Sequence, residues 1–411
     1  MKRRDFVRSS LVGALALPAF LRRAAADEGA RAARRKVLVT IFQRGACDGL
    51  SMVPPLGDER YRALRPNISI APRGEDAALD LDGYFALHPA LSGLKASWDA
   101  GALAVLHEVG SPDGTRSHFD AQDFMESGTP GEKNTDDGYL NRALVASSIA
   151  SHRGALRAVA LQPTLPRSLA GPAPAVALAS LDEFGLRPGL ASAGVQSGFE
   201  SMYRGAVDAT FRGVGDEAFS AITALKAKVA AAAKPDHGAA YPQGPLGQRL
   251  SQLAQLIKGD VGLEIAATDC GGWDTHAGQG AGTGQLAQRL KELGDSLGAF
   301  AQDLGDRMAD VCVVTMTEFG RTVKENGTRG TDHGHGSAML VLGGAVRGKR
   351  VLARWKGLKD ENLFEGRDLP VTTDFRDALA EILSRHLGVG DVGRVFPGYA
   401  LDPARRPGLL G

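Results

Sequence analysis

Two short apolar runs, Val311–Met316 and Ala338–Leu342, constrain the fold of this chain more than any other feature of its sequence. Apolar, β-branched runs of about six residues are typical of strands covered on both faces, as in parallel sheets. In open α/β sheets, ligands bind beyond the carboxyl ends of such strands. The polar loop between the two runs holds Glu318, Asp332, His333 and His335. We therefore expect this loop to form the floor of a metal or catalytic site.

Two further apolar runs end in candidate metal ligands. Residues 36–42 are followed by a glycine-flanked turn that contains Asp48, and residues 262–268 are followed by Asp274 and His276. Asp274 and His276 are two residues apart and can bind one cation through an oxygen and a nitrogen. Asp-Gly also forms ordinary turns, and Asp-x-His is a common sequence. We favour ligation, because both segments follow buried strands.

A candidate nucleophile lies between these segments. A predicted strand at residues 103–109 leads through a glycine-containing loop into a helix that ends at Gly128. Backbone N–H groups and the helix dipole favour an anion at such a helix start. Ser117 is our candidate nucleophile or phosphate-binding residue, and Thr115 is the second candidate. An ordinary N-cap serine has the same sequence requirements, so both interpretations stay open.

Strands and helices alternate along the chain, which predicts an α/β protein with a mostly parallel central sheet and helices on both faces. The 411 residues, 43% of them hydrophobic, are sufficient for one large core. We predict a single domain over residues 27–411, with a mainly helical insertion at about residues 186–245.

The first 26 residues predict export. They combine basic residues, a short apolar run and three alanines at positions 24–26, as in a cleaved signal peptide. The segment Arg3-Arg4-Asp5-Phe6-Val7 is similar to a twin-arginine signal, so we expect the twin-arginine translocase to deliver the protein to the periplasm or outside the cell. No cysteine follows the apolar run, so no stable membrane anchor is predicted. Without this leader the chain has 42 basic and 46 acidic residues, which argues against a nucleic-acid partner.

The chain has three cysteines, so at least one is free in an oxidising compartment. Cys47 and Cys270 lie close in sequence to Asp48 and Asp274, and they could pair or approach a metal. We favour a packing role, because no two cysteines have the C-x-x-C spacing.

Five motifs resemble the exported domain-of-unknown-function 1501 family over nearly the whole mature length: RGACDGL, TRSHFDAQDFMESG, GGWDTH, TEFGRT and GTDHGHG. This family is similar, more distantly, to the alkaline phosphatase and sulfatase superfamily. The resemblance implies an alkaline-phosphatase-like fold in which two cations surround a phosphate or sulfate ester.

The resemblance also implies roles for the candidate residues. Asp48 resembles the ligand after the first strand, and Ser117 resembles the nucleophile. Asp274 and His276 resemble a ligand pair. Glu318-Phe319-Gly320 stands where the superfamily usually has Asp-His-Gly, and residues 330–334 resemble the segment that supplies the last histidine, which favours His333 over His335.

The expected function is therefore an exported metal-dependent hydrolase of phosphate or sulfate esters, acting on a small anionic ester or a polymer. Carboxylates with one or two imidazoles suit Zn²⁺ or Mn²⁺, with Mg²⁺ or Ca²⁺ as alternatives. Five ligands are expected to converge in one cavity: Asp48, Asp274, His276, Glu318 and His333. Asp332 and His335 would be further ligands or would orient them. The alternative is a non-catalytic exported binding or accessory protein that retains the fold.

Overall fold

The computed structural model describes residues 35–147, 156–181 and 227–411. In this part of the chain one large sheet contains nine strands: β1 (Val37–Arg44), β2 (Leu103–Gly110), β3 (Ala158–Leu161), β4 (Val176–Leu178), β5 (Ile265–Gly271), β6 (Val311–Met316), β7 (Ser337–Gly343), β8 (Arg350–Leu352) and β9 (Thr373–Asp374). Their spatial order is β8-β2-β7-β6-β1-β5-β3-β4, and β9 also pairs with β2. Most of the pairs are parallel, so the chain is an α/β protein with a mixed, mostly parallel sheet.

Eight α-helices lie wholly within the described residues: α1 (Gly49–Met52), α2 (Glu59–Leu64), α3 (Lys95–Asp99), α4 (His118–Ser127), α5 (Tyr139–Ala146), α6 (Pro245–Lys258), α7 (Gln285–Leu304) and α8 (Phe375–Arg385). A 3-10 helix, Pro89–Leu94, precedes α3. The leucines of α7 repeat at helical spacing and are buried. The structure ends α4 at Gly128, whose φ of 73° suits a residue without a Cβ.

Two hydrophobic cores cover the two faces of the sheet. Alternate residues of a strand point to opposite faces, so Val39 and Ile41 of β1 pack in one core and Leu38 and Phe42 in the other. The first core contains the apolar stripes of α6 and α7, and the second contains those of α5 and α8. Helices therefore lie on both faces, as the sequence predicts.

Strand β7 corrects one expectation. It runs antiparallel to both β2 and β6, although its apolar run predicts a parallel strand. All seven of its residues are buried, so the apolar pattern reports burial on both faces and carries no information about direction. The loop between β6 and β7 contains no crossover helix, and the chain therefore returns beside β6 in the opposite direction.

The strand directions bring four loops to one edge of the sheet. β1 is parallel to β5 and β6, and β2 has the same direction as β6 because β7 is antiparallel to both. The loops that follow β1, β2, β5 and β6 therefore leave from the same carboxyl edge.

Two predicted segments fall outside this description. The leader lies outside the described residues, and so does most of the expected insertion at residues 186–245, of which residues 227–231 are helical. Contacts divide the chain into a short unit, Met1–Arg35, and a large unit, Lys36–Gly411. Among the helices that the structure describes, none has the length and apolar character to span a membrane.

Candidate metal centre

Three imidazole rings converge where the loops after β2, β5 and β6 meet. The Nε2 atom of His333 lies 3.0 Å from Nε2 of His118 and 3.0 Å from Nε2 of His276. The Asp274 carboxylate completes the cluster, because its Oδ1 lies 3.2 Å from Nε2 of His333 and 2.9 Å from Nε2 of His276. Its Oδ2 lies 3.7 Å from Nε2 of His118.

The other nitrogen of each ring faces a hydrogen-bond acceptor. Nδ1 of His118 lies 2.8 Å from Oε1 of Glu318, Nδ1 of His276 lies 3.0 Å from Oδ1 of Asp332, and Nδ1 of His333 lies 3.0 Å from the carbonyl oxygen of Arg116. These acceptors assign the proton of each neutral ring to Nδ1. The Nε2 lone pairs of the three rings are then directed into the cluster.

This donor set fits a cation. Two Nε2 lone pairs 3.0 Å apart repel each other unless a proton or a cation lies between them. In a complex with metal–nitrogen distances of about 2.0–2.1 Å, neighbouring ligand nitrogens are about 3 Å apart. His118, Asp274 and His333 each offer a ligand atom, and these atoms lie within 4.8 Å of one another. His276 adds a further nitrogen beside Asp274 and His333.

A buried arginine holds the Asp274 carboxylate. Arg321 is 1% exposed, and its Nη2 donates to Oδ1 of Asp274 at 2.5 Å. The same guanidinium donates to the carbonyl oxygens of Gly45, Ala46 and Thr331, which belong to the loops after β1 and β6. Burial opposes ionisation of Asp274, but the hydrogen bond and charge of Arg321 outweigh it and lower the pKa of the carboxyl. Asp274 is therefore ionised and fixed in place.

Glu318 orients His118. Its Oε1 accepts from Nδ1 of His118, from the backbone N–H of Gly45 at 2.8 Å and from Nε2 of Gln122 at 2.9 Å. Burial opposes ionisation, but the His118 hydrogen bond and the other donors lower the pKa of Glu318. The same hydrogen bond raises the pKa of His118. The structure thus places Glu318, an expected ligand, behind the ring of His118.

Asp332 contacts the cluster through His276, whereas His335 packs against Phe364. Asp332 contacts His276, and its pKa is lowered by a hydrogen bond from Asn326 and then by His276, so it can orient that ring. The His335 ring stacks on Phe364 at 4.2 Å between centroids, and burial lowers its pKa. Of the two neighbouring histidines, only His333 lies in the cluster.

The structure does not place Asp48 in the cluster. Asp48 is 1% exposed, and both oxygens are held by Arg65, whose Nη1 donates to Oδ2 at 2.6 Å and Nη2 to Oδ1 at 3.0 Å. Nε2 of Gln279 also donates to Oδ2, at 2.7 Å. Burial opposes ionisation, but the charge and hydrogen bonds of Arg65, together with hydrogen bonds from Ser51 and Gln279, lower the pKa of Asp48. The position that resembles a first-strand ligand is here one half of a buried ion pair.

The two candidate nucleophiles lie beside His118. Ser117 is the N-cap of α4, and its Oγ accepts from the backbone N–H of Asp120 at 3.4 Å. The Thr115 Oγ1 accepts from the backbone N–H of Ser117 at 3.3 Å. Both expected interpretations of Ser117, N-cap and site residue, are therefore compatible with its position.

Sequence reasoning missed His118 and Arg321. His118 follows the candidate Ser117 directly and occupies the first turn of α4, where an anion was expected instead of a cation ligand. The sequence does contain a signal for His118. Like the other candidate residues, it follows a buried strand and therefore lies at the carboxyl edge of the sheet. Arg321 lies in the loop after β6, and its burial depends on contacts with segments distant in sequence.

Glycines allow the loops to approach closely. A Cβ on Gly330 would lie 2.3 Å from the carbonyl oxygen of His276, and one on Gly334 would lie 2.4 Å from the carbonyl carbon of Arg321. A side chain at Gly330 would force the β6–β7 loop away from the loop after β5, and one at Gly334 would force apart two parts of the β6–β7 loop.

The three cysteines are free thiols. Burial raises the pKa of Cys270 and of Cys312 to about 12, and it raises that of Cys47 well above its usual value. Protonated, buried thiols are poor metal ligands and poor nucleophiles.

The chain falls in the class of α/β proteins with a cluster of histidines and a carboxylate at the carboxyl edge of the sheet. Within that class, the chain belongs to the family described as "Protein of unknown function (DUF1501)", whose model matches residues 35–398. The motif resemblance to this family is thereby confirmed. No curated protein and no solved structure matches the chain.

Proposed function

We propose that this chain is an exported, metal-dependent hydrolase of phosphate or sulfate esters with an alkaline-phosphatase-like fold. The observation that carries the proposal is the convergence of three Nε2 atoms and the Asp274 carboxylate at the carboxyl edge of a mostly parallel sheet. Each ring has an acceptor behind it, which is the usual arrangement around a protein-bound metal.

Nitrogen donors with one carboxylate favour Zn²⁺ or Mn²⁺ over Mg²⁺ or Ca²⁺, which prefer oxygen ligands. When bound, such a cation polarises the ester and stabilises the charge that develops on it. The residues that would hold it are His118, Asp274, His276 and His333.

The chain's own groups prepare this site. Glu318, Asp332 and the Arg116 carbonyl hold the three rings in one orientation, so little reorganisation is needed when a ligand arrives. Among the described residues, Ser117 Oγ makes one long hydrogen bond, as an acceptor, so its own proton remains available for transfer. Thr115 is the second candidate for the nucleophile.

The distant similarity to the alkaline phosphatase and sulfatase superfamily supports the choice of substrate. Asp274, His276 and His333 occupy positions that the resemblance assigns to ligands, whereas Asp48 serves the fold through Arg65. The twin-arginine-like leader supports export to the periplasm or beyond, and it suits a protein that binds its metal before translocation. The partners proposed are a small anionic ester or a polymer, and the translocase during export.

Hydrolysis of aryl phosphates and aryl sulfates tests the proposal. The purified full chain should release phenol with added Zn²⁺ or Mn²⁺, and His333→Ala should abolish turnover. Ser117→Asn keeps an N-cap and removes the hydroxyl, so loss of turnover in this variant would assign the nucleophile. Turnover that survives in Ser117→Asn and disappears in Thr115→Val would transfer that role to Thr115. Absence of turnover with every metal and ester would contradict the proposal.

One observation favours a second candidate, a non-catalytic binding or accessory protein. The Ser117 hydroxyl accepts a hydrogen bond from its own helix. Among the described residues, no hydrogen bond joins this hydroxyl to the imidazole cluster. This candidate predicts that added Zn²⁺ raises the thermal stability of the chain while no ester is hydrolysed. Turnover lost in His333→Ala would exclude it.

A further inference from the structure

Beside the imidazole cluster lies a second group of polar side chains that the proposed reaction does not use. Arg116 and Arg367 both contact His333, one at its ring and the other at its backbone. The carbonyl oxygen of Arg116 faces Nδ1 of His333, and Nη2 of Arg367 donates to the carbonyl oxygen of His333 at 2.6 Å. The position of both arginines is therefore tied to a residue of the candidate metal centre.

The two guanidinium groups are neighbours because they share one buried carboxylate. Asp368 has a side chain that is 0% exposed, and its Oδ2 accepts from Nη2 of Arg116 at 2.6 Å and from Nη2 of Arg367 at 3.0 Å. Asp368 neutralises only one of the two charges. Glu365 pairs with Arg116 at 2.7 Å, but its side chain is 58% exposed, and exposed ion pairs contribute little.

Hydrogen-bonding capacity is left over in this group. In the part of the chain that the structure describes, Nη1 of Arg116 and Nη1 of Arg367 have no acceptor. His335 is 6% exposed, and neither of its ring nitrogens has a hydrogen-bond partner among the described residues. The side chains of Arg116 and Arg367 are 29% and 45% exposed, so these donors can be reached by an anion from solvent. His335 lies close enough to Asp368, Arg116, Glu365 and Asp113 to be influenced by their charges.

We propose that Arg116, Arg367 and His335 form a subsite for a second anionic group, a sulfate or phosphate carried by the same substrate. The inference rests on the proposed function, and it narrows the substrate class to esters with two anionic groups, one at the imidazole cluster and one at the arginines. Guanidinium forks bind tetrahedral oxyanions through paired N–H groups. An oxyanion would displace the exposed Glu365 carboxylate and use both free Nη1 groups.

The first test measures binding and needs no turnover. Sulfate is titrated calorimetrically into the full chain after chelation of metals. Arg116→Gln and Arg367→Gln should each weaken sulfate binding about tenfold, and Glu365→Gln should strengthen it. Arg394→Gln removes the same charge at a distant exposed site and should leave binding unchanged. Unaltered affinity in both folded arginine variants, or no sulfate binding by the chelated chain, would overturn the subsite.

A second experiment distinguishes a sulfate group carried by the substrate from a free sulfate ion. Phenyl sulfate and a benzenediol bis-sulfate are titrated into the Zn²⁺-loaded chain. Arg367→Gln should weaken the bis-sulfate about tenfold and leave phenyl sulfate unchanged. Equal effects on both compounds would overturn the assignment to substrate. Because the readout is binding, failure of ester hydrolysis would refute the proposed function without affecting this result.

Discussion

Glu108 makes the free energy of unfolding depend on pH in a way that one substitution can isolate. The residue lies in β2, is 3% exposed, and receives one hydrogen bond, from Oγ1 of Thr372 at 3.1 Å. Burial raises its pKa from 4.5 to about 7, and the Thr372 hydrogen bond and the charge of Lys356 oppose this only partly. The folded chain therefore holds this proton over a pH range in which the unfolded chain has released it.

The sign follows from that difference. Glu108 contributes stability below its unfolded pKa of 4.5, and this contribution is lost as pH rises through its folded pKa of about 7. Between about pH 5 and about pH 8.5 the linkage amounts to about 2.5 kcal/mol. Burial of the neighbouring His107 lowers its pKa to about 4 and gives a slope of opposite sign. A comparison of two variants that both contain His107 cancels this contribution.

Denaturant unfolding of the wild type and of Glu108→Gln at these two pH values measures the effect. Glutamine does not titrate, so the wild type should lose about 2.5 kcal/mol relative to the variant as pH rises. Glu361→Gln, which removes an exposed carboxylate, should keep the wild-type pH dependence. A wild-type-to-variant difference that is the same at both pH values would refute the reasoning.

Two further predictions concern the residues around the cluster. Asp48→Asn should destabilise the fold by about 3–5 kcal/mol in denaturant unfolding, because it leaves the buried Arg65 charge uncompensated. Asp360→Asn, which breaks an exposed pair with Arg60, should cost less than about 1 kcal/mol. Similar costs for the two variants would contradict this account. Gly330→Ala should weaken Zn²⁺ binding without changing a ligand, because its Cβ would meet the His276 carbonyl oxygen at 2.3 Å, and Gly327→Ala, where a Cβ has open space, is the matched control. Equal Zn²⁺ affinity in both glycine variants would show that close approach of the loops is unimportant.

The sequence predicts the elements of the fold well where a pattern is local. The leucine stripe of α7 and the apolar run of β6 follow from periodicity and composition, and the structure agrees. The direction of a strand, in contrast, does not follow from its composition. β7 has the composition of a parallel strand and is antiparallel, because direction depends on how the preceding loop crosses the sheet.

The sequence predicts which loops form the site, but it predicts only some of the side chains that meet there. Asp274, His276 and His333 lie together because the ends of β5 and β6 share one edge. Asp48 and Glu318 have equally suitable positions in sequence, but other side chains occupy their oxygens: Arg65 for Asp48, and His118 with Gln122 for Glu318. Such pairings join residues far apart in the chain, so no local pattern reports them.

Metal content measured on the purified full chain tests the central claim most directly. Elemental analysis should find Zn²⁺ or Mn²⁺ bound to the wild type. His118→Ala removes a ligand that only the structure identifies, and this variant should lose the metal while remaining folded. His237→Asn removes an exposed histidine outside the cluster and suits its φ of 54°, so metal should be retained. Undiminished metal in a folded His118→Ala variant, or a wild type that binds no metal, would contradict the account.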